Sequence, residues 1–267
     1  MPLKIIVTAK QVIDPEIPKM AFSIDRQARQ VVVPASFPPV VNGFDEHALE
    51  AALRIKDAQE SRVTVVSIGK SFSIDVMRKL IAMGADELIL IQDPLFEETI
   101  DSGIIAQVLA AAIKKLGPFD LIICGRQASD WDNAQVPLFL AELLGLPCVT
   151  LGKKVEVEEG KVRVERIIPE GYEVVEASLP VLVTVSNELG LPRYPSLKAI
   201  MAANRKRPVI WKASDLGIDP SQIKPHLSLI DLFIPTGESK KCEFIEGKDE
   251  EEVGRNLAMK LREVKLI

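Results

Sequence analysis

The chain has little of what covalent or hydrolytic enzymes use. Among 267 residues there are two histidines, His47 and His226, and three cysteines, Cys124, Cys148 and Cys242. The cysteines are scattered, with no C-x-x-C pair and no histidine near enough in sequence to complete a zinc site, so no metal is expected and a reducing compartment is. His47 falls on an apolar-patterned helix and reads as a partly buried structural residue; His226 sits in a proline-flanked stretch. No G-x-S-x-G elbow, H-E-x-x-H pair or Cys–His signature is present, which argues against hydrolytic and covalent catalysis. The G-x-G-x-x-G fingerprint and the P-loop are missing as well. No apolar run reaches the roughly 18 residues of a membrane span, and the N-terminus enters a strand pattern without a signal-peptide layout. The expectation is a soluble, cytoplasmic chain without membrane insertion. A formal charge of -5 argues against nucleic acid as a partner, leaving Asn204-Arg205-Lys206-Arg207 as a solvated face or a local steering patch.

What is present is an alternation. With 47% hydrophobic residues, a chain of this length can bury one full α/β core and carry an appendage. Strand-like runs of Val, Ile and Leu occur at 3–8, 63–69, 87–91, 120–124 and 181–186. Helical patterns separate them at 45–59, 73–84, 99–117 and roughly 132–145. Continuous apolar strands suit a sheet covered on both faces, and strand–helix–strand units imply right-handed crossovers. The fold class expected is therefore α/β, a three-layer α/β/α arrangement around a mostly parallel sheet. Two stretches break the rhythm: a hairpin pattern at 22–33 and a meander pattern at 153–177 with a Glu-Gly turn. Residues 1–207 are expected to form the core and 208–267 a C-terminal arm. The arm ends in an amphipathic helix with Val253, Leu257, Leu261 and Val264 on one stripe.

The most informative loop is CGRQASDWDNAQVP, residues 124–137, which follows a strand and leads into a helix. In an open parallel sheet, ligands sit beyond the carboxyl ends of strands, where helix N-termini offer free N–H groups to phosphate. Asp130 and Asp132 have two readings: a cap for the helix, or a carboxylate that accepts from ribose hydroxyls or orients the loop. Thr8-Ala9-Lys10 and Ile68-Gly69-Lys70-Ser71 follow other strands to the same edge, and their small residues let a ring or phosphate approach the backbone. Together these loops suggest an adenine-nucleotide pocket.

Four segments in order, AKQVID (9–14), NGFDEHALEAALRIKD (42–57), GRQASDWDNAQV (125–136) and LPRYPSLKAIMAA (191–203), resemble the β subunit of electron-transfer flavoprotein, and the resemblance covers essentially the whole chain. It implies a Rossmann-like, adenine-nucleotide-binding core and an α subunit that holds most of a redox-active FAD. It also implies electron carriage from acyl-CoA and related dehydrogenases to a membrane quinone oxidoreductase, with the flavin supplying the chemistry. Carried over by position, the family's buried AMP site implies Ala9, Asn42, Gly43, Asp45, Ile68 and Gly69. From the long loop it implies Gly125, Arg126, Gln127, Ala128, Ser129, Asp130, Trp131, Asp132, Asn133, Ala134, Gln135 and Val136. Phe44 matches the aromatic that approaches the flavin ring, against the alternative of a core role. Residues 185–207 match the loop that recognises the partner dehydrogenase, with Leu197 as its anchor and Arg193, Tyr194, Ile200 and Met201 around it.

The chain also departs from the family's AMP-holding pattern. Ala134-Gln135-Val136 stands where Asn-Gln-Thr is usual, and Ala-Gln-Val is typical of bifurcating members in which a second FAD replaces AMP and takes hydride from NADH. Trp131 stands where those members usually have Gly, and Pro137 where Gly is common. Both occupants stay open, as does a stand-alone adenine-nucleotide sensor of another class, which the α/β core alone would permit.

Overall fold

The computed structural model describes residues 2–96, 101–219, 221, 223, 225–235 and 242–267. In chain order the strands are β1 Leu3–Thr8, β2 Gln11–Val12, β3 Ser23–Asp25, β4 Gln30–Val32, β5 Val40–Val41, β6 Ser61–Gly69, β7 Glu87–Gln92, β8 Leu121–Gly125, β9 Cys148–Glu158, β10 Lys161–Ile168, β11 Gly171–Ser178, β12 Val181–Val185 and β13 Val209–Trp211. The α-helices are α1 Gly43–Ala58, α2 Ile74–Met83, α3 Ser102–Leu116, α4 Val136–Leu144, α5 Leu197–Ala203 and α6 Glu250–Glu263.

One sheet organises residues 1–231, with strand order β11-β10-β9-β12-β8-β1-β6-β7-β13. From β9 to β13 every neighbouring pair is parallel; β10 and β11 extend the sheet antiparallel. The parallel strands are apolar throughout because helices cover both faces. Ile5, Val7, Val63, Val65, Leu121 and Ile123 pack under α1 and α2. The alternate residues Ile6, Val66, Ile89, Ile91 and Ile122 pack under α3 and α4. The period-2 alternation of strand side chains thus divides one sequence between two hydrophobic layers. The three-layer, mostly parallel arrangement expected from the sequence is the one observed.

Several local expectations change. Helix α4 starts at Val136, not 132, because Asp132 and Ala134 have φ of 51° and 53°; that left-handed backbone cannot continue into a right-handed helix. The meander joins the main sheet, with β9 pairing β12 in parallel. The sheet also runs past the expected boundary at 207, since Val209–Trp211 pair with Ile89–Ile91 as its ninth strand. The first two residues of the helical pattern at 99–117 lie outside the described residues, and α3 is capped by Asp101, whose carboxylate accepts from Gly103 N and Ile104 N. The same carboxylate accepts from His226 N at 2.6 Å and Leu227 N at 3.2 Å, which ties residues 226 and 227 to the start of α3.

Residues 232–267 form a second compact unit. Helix α6 is capped by Asp249, carries three glutamates in its first turn and Lys260 and Arg262 in its last, as the helix dipole favours. Lys260 pairs with Glu243 at 2.7 Å, and Asn256 donates to the Glu246 carbonyl. Among the described residues of this unit none is buried, and Leu257 and Val264 of the apolar stripe are exposed.

Candidate functional site

The strand order reverses at β1: β6 and β7 continue to one side, β8 and β12 to the other. At such a switch point the loops leaving adjacent strands diverge and open a crevice. The crevice here is a cavity of about 140 Å³ lined by the ends of β1, β6 and β8, by α3 and by the loop into α4. Twelve residues expected at the site line it: Ala9, Asn42, Asp45, Ile68, Gly125, Gln127, Ala128, Trp131, Asn133, Ala134, Gln135 and Val136. Gly43, Phe44, Gly69, Arg126, Ser129, Asp130 and Asp132 do not. Thr8, Lys10, Ser102, Ile105, Leu109 and Pro137, which the resemblance does not single out for the site, line it as well. Thr8 and Lys10 flank Ala9 and were legible as loop residues; the α3 contribution had no local signal except the helix-start pattern Asp101-Ser102-Gly103.

The cavity wall is held by hydrogen bonds among its own side chains and those just behind them. Asn42 precedes α1, where a cap is expected, yet its side chain makes no cap bond. Its amide instead donates to the Gln127 carbonyl at 2.8 Å and accepts from Ser129 N at 3.2 Å, pinning the long loop to α1. Asp130 pairs with Lys10 Nζ at 2.6 Å, and Asp132 accepts from Gln127 Nε2 at 2.7 Å. Neither aspartate caps α4, whose N-cap is Gln135 without a side-chain bond. The start of α4 therefore offers the amides of Val136 and Leu138, Pro137 having none, and the positive end of the helix dipole lies at the cavity that Gln135, Val136 and Pro137 line. Ser129 Oγ is buried behind the cavity wall without a hydrogen-bond partner, a costly state for a hydroxyl.

Gly125 is required by contact. A Cβ there would lie 2.5 Å from Asp45 Oδ1 and 2.7 Å from the Phe44 carbonyl carbon. This close approach lets the start of α1 sit against the end of β8 and buries Asp45, which accepts from Lys10 N at 2.7 Å. Burial pushes the Asp45 carboxyl up to about 7, against the opposing donors Asn42, Lys10 and Gly125. Burial likewise pushes the Cys124 thiol up to about 12, so it is held as an unreactive thiol. Arg126 leans over the Phe44 ring at 5.7 Å and reaches Ser186 Oγ at 3.4 Å, placing a cation and an aromatic together beside the cavity. His47 Nδ1 lies 2.7 Å from the Gly43 carbonyl within α1.

A second feature follows β12. Arg193 bonds Glu50 of α1 through Nε at 2.8 Å and Asp57 through Nη2 at 2.7 Å. Glu50 is buried and also accepts from Arg54 at 2.9 Å. The Glu50 and Asp57 hydrogen bonds raise the Arg193 pKa, so its guanidinium is occupied inside the chain. Beyond this brace the side chains turn outward: Tyr194 is 91% exposed, Leu197 75%, and Ile200 and Met201 are exposed as well.

Fold and crevice define a doubly wound α/β domain with a ligand cavity at its switch point. Residues 31–216 match the electron transfer flavoprotein domain. The chain is 43% identical to an electron transfer flavoprotein subunit beta of Thermoanaerobacterium thermosaccharolyticum over 70% of this chain and 71% of that one. It is 39% identical to the same-named subunit of Megasphaera elsdenii, over 83% and 82%. It is 37% identical to the caffeyl-CoA reductase-Etf complex subunit CarD of Acetobacterium woodii, over 99% and 100%. The chain belongs to the electron transfer flavoprotein family as a β-type subunit, an electron carrier rather than an enzyme, in a family that uses flavin and pairs β with α subunits. Among the described residues no helix is long and apolar enough to cross a membrane.

Proposed function

We propose that this chain binds an adenine nucleotide in the switch-point cavity. With its α partner, it passes electrons through a shared FAD from acyl-CoA or related dehydrogenases to a membrane quinone oxidoreductase. The observation that carries the cavity reading is the combination of an uncapped α4 start and an apolar slot between Ile68, Ile105 and Leu109. A flat ring suits the slot, ribose hydroxyls suit the Asn42, Gln127 and Asn133 side, and phosphate suits the helix start. Bound flavin supplies the redox chemistry. The residues here orient the nucleotide, exclude water from the slot, and place the Arg126 cation beside the Phe44 ring, where the family resemblance puts the flavin. Asp45 holds a proton near neutrality one residue from that ring.

The exposed segment around Leu197 is the surface we assign to the donor dehydrogenase, and the C-terminal arm, with its exposed apolar stripe, to the α subunit. Electron delivery from a reduced acyl-CoA dehydrogenase to the heterodimer tests the first: Leu197→Ala should slow it at least tenfold, roughly the loss of one buried interface anchor. An unchanged rate would refute the assignment.

A second reading, in which the cavity holds a second FAD reduced by NADH, is favoured by the end-to-end match to the caffeyl-CoA reductase complex subunit and by Ala134-Gln135-Val136. Rapid flavin reduction by NADH would select it; inertness toward NADH would select the single-flavin carrier.

A further inference from the structure

The amino-terminal ends of β6, β7 and β13, at the sheet edge remote from the crevice, enclose another cavity of about 270 Å³. Four cations, Arg62, Arg78, Lys206 and Arg207, line it against two carboxylates, Asp86 and Glu87. Both carboxylates are already engaged. Asp86 pairs with Lys56 at 2.7 Å, and Glu87 with Arg62 at 3.1 Å. Lys206 reaches only the Asp86 carbonyl, at 3.5 Å, and Arg207 pairs with no carboxylate among the described residues. Arg78 donates through Nη1 to the exposed Asp75 at 3.0 Å, while its Nε is buried with no partner. An unpaired buried guanidinium N–H is costly, and Asp86, already held by Lys56, is the carboxylate whose charge Lys206 also feels.

We propose that this cavity binds a compact phosphate-type dianion, at a site separate from the switch-point cavity. Four cations against two carboxylates leave the lining with two positive charges in excess, which matches two negative charges. Arg78, whose Nη1 holds only the exposed Asp75, adds a planar guanidinium of the kind that reads tetrahedral oxyanions, whose several acceptor oxygens can engage more than one cation at once. Lys206 and Arg207 lie in the short link between α5 and β13, so an anion held there fastens that link to α2 through Arg78 and to the β6 end through Arg62.

The test is isothermal titration calorimetry on the full chain co-purified with its α partner at low ionic strength, with inorganic phosphate and pyrophosphate as probes and citrate as the carboxylate control. One saturable site is expected, with citrate weaker. Arg78→Gln and Arg207→Gln should each weaken it about tenfold, the loss of one charge-assisted contact, with unchanged flavin and nucleotide content. Absence of saturable binding would overturn the proposal, as would wild-type affinity in both variants or citrate binding as tightly as pyrophosphate. Should Arg78→Gln fail to fold, the exposed Arg207→Gln decides the matter alone.

Discussion

The segments after β8 and β12 leave neighbouring parallel strands at the same sheet edge and solve opposite problems. Residues 126–135 fold inward: Asn42, Lys10 and Gln127 tie the loop down, two residues adopt left-handed backbone, and the loop walls a cavity while leaving its own Ser129 Oγ unpartnered. Residues 187–203 fold outward: the Arg193–Glu50–Asp57 brace anchors the segment, Leu189 and Ala203 are buried, and Leu191, Tyr194, Leu197, Ile200 and Met201 are left in water. An inward loop with orphaned polar atoms is built to hold a small ligand; an outward one with orphaned apolar side chains is built to meet a protein. Stability and function should therefore separate differently in the two.

The largest effect is expected at the inward loop's hinge. Gly125→Ala places a methyl group on Asp45 and the Phe44 backbone and should cost about 3 kcal/mol or more in denaturant unfolding, because backbone rather than a flexible side chain must give way. A loss below about 1 kcal/mol would mean that the start of α1 is free to retreat. The outward segment should split. Arg193→Ala leaves Glu50 buried with only Arg54 and should cost about 2 kcal/mol, whereas Leu197→Ala should leave stability within about 0.5 kcal/mol while impairing electron delivery. Equal destabilisation by both would erase the distinction drawn here.

Asp45 gives a smaller, pH-dependent signature. Its folded carboxyl titrates near 7, from an ordinary value of 3.8, so between about pH 4 and 7 the folded chain keeps a proton that the unfolded chain has lost. Its stabilising contribution is full below that window, falls as pH rises by at most about 1.4 kcal/mol per unit, and levels off above it. Asp45→Asn should flatten this slope in urea unfolding across the same range; identical slopes would show that the carboxyl is not held neutral by burial.

Much of this was legible from local pattern. β1 occupies the Leu3–Thr8 run expected of it, and the parallel core strands announce themselves because double-sided burial demands unbroken apolar residues. β13 was missed because Val-Ile-Trp is three residues long in a proline-punctuated stretch, and only β7 makes it a strand. The late start of α4 depends on backbone signs that Asp and Ala do not advertise. Ser102, Ile105 and Leu109 reach the cavity through the crossover that lays α3 over the sheet, which sequence spacing cannot show. At Arg193, sequence resemblance suggested a partner contact, whereas the structure turns its guanidinium onto α1.

The central claim is that the switch-point cavity holds an adenine nucleotide. The direct measurement is to co-purify the chain with its α partner, denature the complex and quantify released FAD and AMP per heterodimer. The account predicts two adenine nucleotides, one FAD with one AMP for the single-flavin carrier or two FAD for the second reading. A single FAD with nothing else would contradict it.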